Sequence, residues 1–187
     1  MRENIFFQFS ELGSIGEKVI IGKTVRIRYP RSVNLENNII IDDFCYISTS
    51  LSIQSFTHIS SGVKIIGGKE SLVEMESFST LAPNVVIAAG SDDYSDGIAT
   101  PMIPVEFKGD VEYSNIKIPK HCIIGANSTV LPNSIIGEGT SIGANSVIKG
   151  KLDSWSIYAG CPVKKIGKRN KKNILDLESK FLNFLSS

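Results

Sequence analysis

Aliphatic residues recur at every sixth position along most of this 187-residue chain. The clearest run is the segment 118–148, "IPKHCIIGANSTVLPNSIIGEGTSIGANSVI", in which a small residue also stands four positions after each aliphatic one. A period of six matches neither the 3.6 residues of a helical turn nor the two-residue alternation of a flat strand. It is typical of a solenoid whose coils have flat faces of six residues each. The in-phase positions fall into four blocks: Ile15, Ile21, Ile27, Val33; Leu35, Ile41, Ile47, Ile53, Ile59, Ile65; Met75, Leu81, Ile87; and Ile118, Ile124, Val130, Ile136, Ile142, Ile148.

The repeat predicts how each hexad is oriented in the coil. The aliphatic side chain points inward, and the small residue four positions later also points inward, near a corner where a larger one would clash. Gly125, Gly137 and Gly143 each follow an aliphatic residue and are expected to ease the backbone through a tight turn. With three hexads to a coil, the nineteen in-phase positions predict an all-β solenoid, a parallel β-helix of about six coils.

Both ends of such a column need a cover, because an open coil exposes its core and an unpaired strand edge. The first fourteen residues are expected to form a short N-terminal cap. Within 171–187, Ile174, Leu177 and Phe181 recur at helical spacing, which indicates an amphipathic helix packed over the last coil or over a neighbouring molecule. The predicted organisation is therefore a β-helix domain over residues 1–170, followed by a capping α-helix.

The period of six disappears in a protruding segment over about residues 88–115. A structureless loop of this length inside a compact domain is uncommon and usually functional. The segment carries Asp92, Asp93 and Asp96 beside Tyr94. We expect it to hold the functional site, with an ordinary solvated acidic loop as the alternative interpretation.

The charge balance and the cysteines exclude several kinds of partner. The formal net charge is +1, which indicates neither a nucleic acid nor an anionic membrane as partner. No run of about 18 apolar residues is present that could span a bilayer. Cys45, Cys122 and Cys161 lack the spacing of a disulfide framework or a metal site, which favours free thiols in the cytoplasm and no bound metal.

Two segments together resemble the hexapeptide-repeat acyltransferases. They are the repeat "IIGANSTVLPNSIIGEGTSIGANSVIKG" and the closing "WSIYAGCPVKKIGKR". The resemblance implies a left-handed parallel β-helix, although crossovers between parallel strands are usually right-handed. It also implies a homotrimer with sites between neighbouring subunits, and acetyl-CoA or another acyl-CoA as the acyl donor.

A narrower resemblance is carried by "IDDFCYI", "SFTHIS", "AAGSDDYSDG", "PMIPVEF" and "WSIYAGCPVKKI". These segments are similar to the nucleotide-sugar N-acyltransferases that act on 4-amino-4,6-dideoxyglucose. In that group an acidic residue meets the amine of the sugar, and the matching position here is Asp92. Where the group has a serine in the preceding strand, this chain has Ala82, so a backbone N–H is expected to bind the thioester oxygen instead.

The chemistry implied is acyl transfer from the thioester to a nucleotide-linked amino sugar for surface polysaccharide synthesis. A neutral amine is already a good nucleophile, and the carboxylate of Asp92 can orient it and accept its proton. The adjacent Asp93 is expected to raise the pKa of one of the pair. A hydroxyl nucleophile needs a stronger base, so His58 is the candidate for the alternative, sugar O-acetylation, and His121 remains possible. A β-helix scaffold without enzymatic activity is the alternative of a different class.

The acyl-CoA is expected to lie along the later coils. Small residues there leave room for a ligand to approach the backbone, and a basic stretch after the last coil can meet the phosphates of CoA. A solvated basic tail is the alternative interpretation of that stretch. The candidate donor-binding residues are Gly125, Ala126, Gly143, Ala144, Lys164, Lys165 and Lys168.

Overall fold

The computed structural model describes residues 4–186 and shows a column of short, mostly parallel strands wound into coils. One α-helix follows the last strand, α1 (Lys171–Leu185), and 3-10 turns lie at Phe9–Glu11, Pro30–Ser32 and Val105–Phe107. The strands, in chain order, are β1 (Ser14–Ile15), β2 (Ile20–Ile21), β3 (Arg26–Ile27), β4 (Val33–Leu35), β5 (Ile39–Ile41), β6 (Tyr46–Ile53), β7 (Thr57–Ile59), β8 (Lys64–Met75), β9 (Thr80–Leu81), β10 (Val86–Ala88), β11 (Gly90–Ser91), β12 (Glu112–Tyr113), β13 (Asn115–Ile118), β14 (Ile123–Ile124), β15 (Thr129–Val130), β16 (Ser141–Ile142), β17 (Val147–Ile148), β18 (Ser156–Ala159) and β19 (Lys164–Lys168).

The coils stack their strands on three faces. The first face consists of β2, β5, β7, β9, β14, β16 and β18, all parallel. The second consists of β3, the start of β6 and of β8, β10, β15 and β17. The third consists of β1, β4, the ends of β6 and β8, and β13. Within residues 4–186 the seven strands of the first face make about seven coils, so the predicted solenoid is confirmed with one coil more than expected.

The inward positions of the hexads form a single core. Ile41, Ile59, Leu81 and Ile124 stack on the first face, one coil apart, and each is fully buried. The predicted position that departs from this pattern is Ile15, which is 38% exposed because it lies at the N-terminal end of the stack. Fully burying one such side chain contributes about 1.5–3 kcal/mol, so the aliphatic columns dominate the stability of the fold.

The small residues of each hexad do more than avoid a clash at the corners. Thr140 is fully buried, and its hydroxyl donates to the carbonyls of Gly137 at 2.7 Å and Asp153 at 3.0 Å. Ser146 is also buried, and its hydroxyl donates to the carbonyl of Gly143 at 2.7 Å. Carbonyls at the corners are thereby satisfied, which buried backbone groups require.

The glycines after the aliphatic residues have a different role from the one predicted. Gly125 and Gly143 do not have positive φ; the left-handed turn falls two residues later, at Asn127 (φ 58°) and Asn145 (φ 55°). A Cβ on Gly125 would lie 2.5 Å from the backbone nitrogen of Ala144 in the next coil. Glycine is required there because adjacent coils approach closely, and asparagine is one of the few residues that tolerate the turn itself.

One corner of the column carries stacked rings, which we call the aromatic ladder: Phe56, Phe78, His121 and Trp155. The Phe56 and Phe78 rings are stacked with centroids 5.2 Å apart, and Phe78 and His121 follow at 5.3 Å. All four residues have positive φ, between 54° and 62°. That backbone conformation costs about 1–2 kcal/mol for an ordinary residue. Ring stacking of about 0.5–1.5 kcal/mol per pair offsets much of it.

Helix α1 lies along this ladder. It begins beside the last coil, where the Lys171 ammonium stands 5.5 Å from the centre of the Trp155 ring. It then runs back along the column until Phe181 meets Phe56 edge-on at 5.2 Å. The predicted helix therefore braces the side of the column, and the end of the last coil is covered instead by β19, which pairs antiparallel with β18.

The N-terminal segment packs on the first coils. Phe7 and Leu12 are buried against the core, on either side of the turn at Phe9–Glu11. The first three residues of the predicted cap, and residue 187, lie outside the described residues. Over residues 4–186, no helix is both long and apolar enough to cross a membrane.

Candidate active site

The protruding segment is a hairpin and not a structureless loop. Strand β11 pairs antiparallel with β12, so the chain leaves and re-enters the column as a two-stranded ribbon. At its root the carbonyl of Ala89 accepts a hydrogen bond from the Ser71 hydroxyl at 2.8 Å and from the Ser114 backbone at 2.8 Å. The ribbon therefore holds its side chains at a fixed place above the second face.

Asp93 closes this hairpin from inside. Its Oδ1 accepts from the backbone N–H groups of Ser95 at 2.8 Å and Asp96 at 3.1 Å, and its Oδ2 accepts from that of Asp110 at 3.1 Å. These backbone hydrogen bonds, led by the one from Ser95, hold the pKa of Asp93 below its usual range. Asp93 is thus not the member of the pair whose pKa is raised, and its carboxylate orders the loop.

A groove of about 1400 Å³ lies between the hairpin and the second face. The hairpin side is lined by Asp92, Asp93, Tyr94 and Lys108. Asp92 is exposed, and no group within residues 4–186 donates a hydrogen bond to its carboxylate. Of the two adjacent aspartates, Asp92 is therefore the one whose oxygens can meet a ligand. The column side of the groove is lined by Ile66, Ala88, Leu131, Pro132, Asn133 and Lys149.

His58 lies elsewhere, on the outward side of β7 on the first face. Its Nε2 is 2.8 Å from Oδ2 of Asp42, in the preceding coil, and both side chains are partly exposed. The carboxylate fixes the orientation of the ring. Within one copy of the chain, His58 does not line the groove that contains Asp92. Sequence reasoning did not identify Asp42, although the segment "IDDFCYI" contains it.

Two other residues considered from the sequence have structural roles. The backbone N–H of Ala82 donates to the carbonyl of Ile124 at 2.9 Å, so it is already engaged in the strand ladder. His121 is buried in the aromatic ladder, with its Nε2 2.8 Å from Oε2 of Glu178 on helix α1. Burial alone would raise the pKa of Glu178, but hydrogen bonds from Lys120 and His121 hold it below its usual range.

The four small residues predicted to meet acyl-CoA come together at the corner that follows the first face. The N–H of Gly125 bonds the carbonyl of Ile142, and the N–H of Asn145 bonds the carbonyl of Ala126, both at 2.8 Å. These bonds place Gly125 and Ala126 one coil below Gly143 and Ala144. A Cβ on Gly143 would in turn lie 3.1 Å from the Cβ of Ala159 in the following coil. The corner therefore presents a smooth wall of small residues.

The predicted basic residues lie at the upper end of that wall, on β19. Lys164 pairs with Ala159 across the hairpin, and Lys168 pairs with Ser156. Lys165 is bound to Asp153, Nζ to Oδ2 at 2.9 Å, so part of its charge is already compensated. Lys164 and Lys168 are the better placed of the three to meet an anion. Among residues 4–186, no group of three His, Cys, Asp or Glu side chains is arranged to hold a metal ion.

The chain matches known proteins along almost its whole length. Residues 115–150 match the family model of the bacterial transferase hexapeptide. Over 181 residues, 93% of this chain and 92% of the relative, the sequence is 35% identical to the dTDP-4-amino-4,6-dideoxy-D-glucose acyltransferase of Escherichia coli. A stretch of 125 residues, 67% of this chain and 61% of the relative, is 33% identical to WbbJ of Escherichia coli K12, named as an O-acetyl transferase of lipopolysaccharide biosynthesis.

A solved structure agrees in fold and sequence. The N-acyltransferase AntD from Bacillus cereus, in complex with dTDP and 3-hydroxybutyryl-CoA, superposes with a TM-score of 0.90 at 37% identity. The match covers 98% of this chain and 100% of AntD. The fold and the repeat thus define a hexapeptide-repeat acyltransferase. Within that class, the chain belongs to the family of acyltransferases that includes the dTDP-4-amino-4,6-dideoxyglucose enzyme of Escherichia coli and AntD.

Proposed function

We propose that this protein transfers an acetyl or other short acyl group from acyl-CoA to the 4-amino group of a nucleotide-linked 4-amino-4,6-dideoxyglucose. The similarity to two acyltransferases over nearly the whole chain supports the reaction. The main support for the site is the exposed carboxylate of Asp92 in the groove. The neighbouring Asp93 already accepts backbone hydrogen bonds at both of its oxygens. The acylated sugar nucleotide would be a precursor for surface polysaccharide, and the enzyme would act in the cytoplasm.

In the proposed reaction the neutral amine attacks the carbonyl carbon of the thioester, and a C–N bond forms. The carboxylate of Asp92 orients the amine and accepts the proton that the nitrogen must lose. The tetrahedral intermediate then collapses, the C–S bond breaks, and the CoA thiolate leaves and is protonated. The amide and free CoA thiol account for all the atoms of the two substrates.

The proposal includes a homotrimer in which each site lies between two copies. Asp92 and His58 lie on different faces of one column, so a neighbouring copy is needed to bring the two faces together. The hairpin also exposes a cluster of large apolar side chains in a single copy of the chain. More than half of the surface of each is exposed in Tyr94, Ile98, Met102, Val105 and Phe107. Burial of such a cluster against a neighbour favours association.

Sugar O-acetylation is the second candidate, and one observation favours it. The 2.8 Å contact between His58 and Asp42 holds a partly exposed imidazole in a fixed orientation, as a base for a hydroxyl nucleophile requires. The similarity to WbbJ points in the same direction over part of the chain. In this alternative Asp92 would bind the sugar and His58 would remove the proton.

The experiment measures thiol release from acetyl-CoA with dTDP-4-amino-4,6-dideoxyglucose as acceptor. The variant Asp92→Asn should lower kcat by about 10²-fold or more, the range for a lost general base. Asp96→Asn is the matched control, because it removes a carboxylate of the same hairpin that does not line the groove. Full activity of Asp92→Asn, or loss in His58→Gln with an accepted hydroxy sugar, would refute the amine mechanism.

A further inference from the structure

The column side of the groove contains a continuous apolar strip. Ile65, Ile87 and Val130 point into the core, so the residues that follow them, Ile66, Ala88 and Leu131, point outward by strand alternation. Ala88 pairs directly with Ile66, and Leu131 follows the paired Val130 in the next coil. We call these three residues the apolar strip.

The strip lies below the hairpin that carries Asp92. Its three residues are half-buried and line the groove, whose opposite side carries Asp92, Tyr94 and Lys108. At about 4.8 Å between strands, it extends over about 10 Å. It ends at Lys149, which stands one coil beyond Leu131. The groove thus has one polar, charged wall and one apolar floor.

The chemistry of a 4-amino-4,6-dideoxyhexose matches this division. Its amine is on C4, and its methyl group, C6, is attached to the neighbouring ring carbon, so the two substituents lie side by side. An amine held at the charged wall brings the methyl group to an adjacent surface of the groove. An apolar surface there accepts a methyl group, whereas a hydroxymethyl group would lose hydrogen bonds to water without replacement.

From this arrangement, and resting on the proposed function, we propose that Ile66, Ala88 and Leu131 form the subsite that selects a 6-deoxy sugar. The strip contacts the C6 methyl group and rejects hexoses that carry a hydroxyl there. The acyl chain is the other group that an apolar strip could hold. It is placed less well, because the small-residue wall at Gly125 and Gly143 lies beyond the opposite end of the strands of the second face.

The test compares dTDP-4-amino-4,6-dideoxyglucose with dTDP-4-amino-4-deoxyglucose as acceptors, each with acetyl-CoA and with butyryl-CoA. The unmodified enzyme should prefer the 6-deoxy sugar by up to about 10²-fold in kcat/KM, since an apolar pocket rejects an added hydroxyl only to that extent. Ile66→Thr and Leu131→Asn should each reduce that preference by about tenfold or more. Their ratio of acetyl to butyryl transfer should not change.

Val86→Thr is the matched control for Ile66→Thr. Val86 is half-buried on the same face, in the strand paired with β8, and does not line the groove. It should retain the preference of the unmodified enzyme. If the strip variants change the acyl preference and leave the sugar preference intact, the strip holds the acyl chain and the inference is wrong. If neither 4-amino sugar is acylated, the proposed function itself fails, which is a different outcome.

Discussion

Phe181 is one of the side chains that attach helix α1 to the column. The ring meets Phe56 edge-on at 5.2 Å and Phe78 at 6.1 Å. It is 37% exposed, so nearly two thirds of its surface is buried. An aromatic side chain buries about 150–250 Å² when it is fully covered. At about 25 cal/mol per Å², the buried part of Phe181 contributes about 2–4 kcal/mol to docking of the helix.

The variant Phe181→Ala should therefore release the helix locally. A 15-residue helix is marginal in water without a surface to pack on. A loss of about 3 kcal/mol corresponds to about 10²-fold in the undocked population, because 1.4 kcal/mol is tenfold. Backbone amides of α1 should lose hydrogen-exchange protection by about that factor.

The control is Phe184→Ala, the same substitution one turn further along the same helix. Phe184 is 74% exposed, so the same reckoning gives an effect of about 1 kcal/mol, or less than tenfold in protection. Equal losses of protection in the two variants, or none in Phe181→Ala, would refute the assignment of the helix as a brace held by the aromatic ladder.

Three further predictions concern the fold. Helix docking should weaken as pH falls, because the pKa of Glu178 is held low in the folded state. The stabilisation that Glu178 provides is fully present above its unfolded-state pKa and is lost as pH falls through its folded-state pKa. Hydrogen exchange of α1 between pH 6 and 3 measures this loss. Thr140→Val should lower the free energy of unfolding by about 1–3 kcal/mol in a denaturant titration, because two carbonyls lose the hydroxyl that bonds them. Gly125→Ala should lower the unfolding temperature more than Gly143→Ala, since the added methyl meets backbone at 2.5 Å in the first and only a methyl group at 3.1 Å in the second.

Sequence reasoning predicted the column because the period of six is a direct consequence of burying one side of every strand. Ile118 to Ile148 kept their phase and are all buried, as expected. The reason why glycine is required at Gly125 could not be predicted from the sequence. Gly125 approaches a residue one coil away, whereas the repeat shows only which residues are neighbours along the chain. A signal for the turns did exist: Asn127 and Asn145 stand two residues after Gly125 and Gly143, and asparagine tolerates positive φ.

The sequence led to the segment 88–115 as the candidate site, but it did not separate the roles of the individual residues. Asp92 and Asp93 are identical in type and adjacent, and only the folded hairpin shows which carboxylate accepts the backbone hydrogen bonds. The contact between His58 and Asp42 could have been predicted from the sequence. His58 pairs with Ile40 across the coil, eighteen residues earlier, and Asp42 stands two residues beyond Ile40. Counting one coil back from each polar outward residue, and then to the next outward residue along the strand, would have found this contact.

The hairpin interrupts the six-residue repeat but not the stack of coils. The residues that stabilise the fold are therefore different from those proposed to act on the substrate. Strand β10, just before the hairpin, pairs with β8 below and β15 above, and β13, just after it, pairs with β8 in register from Asn115 to Ile118. The coil therefore closes whether or not the chain makes its excursion, because the two ends of the hairpin return to the same corner. Substitutions at inward hexad positions should act on folding, whereas changes at Asp92 or along the apolar strip should act on turnover and selectivity. The repeat alone could not name the reaction, because the residues proposed to select the substrate lie where the period is absent, or on the outward side of strands whose inward side determines the fold.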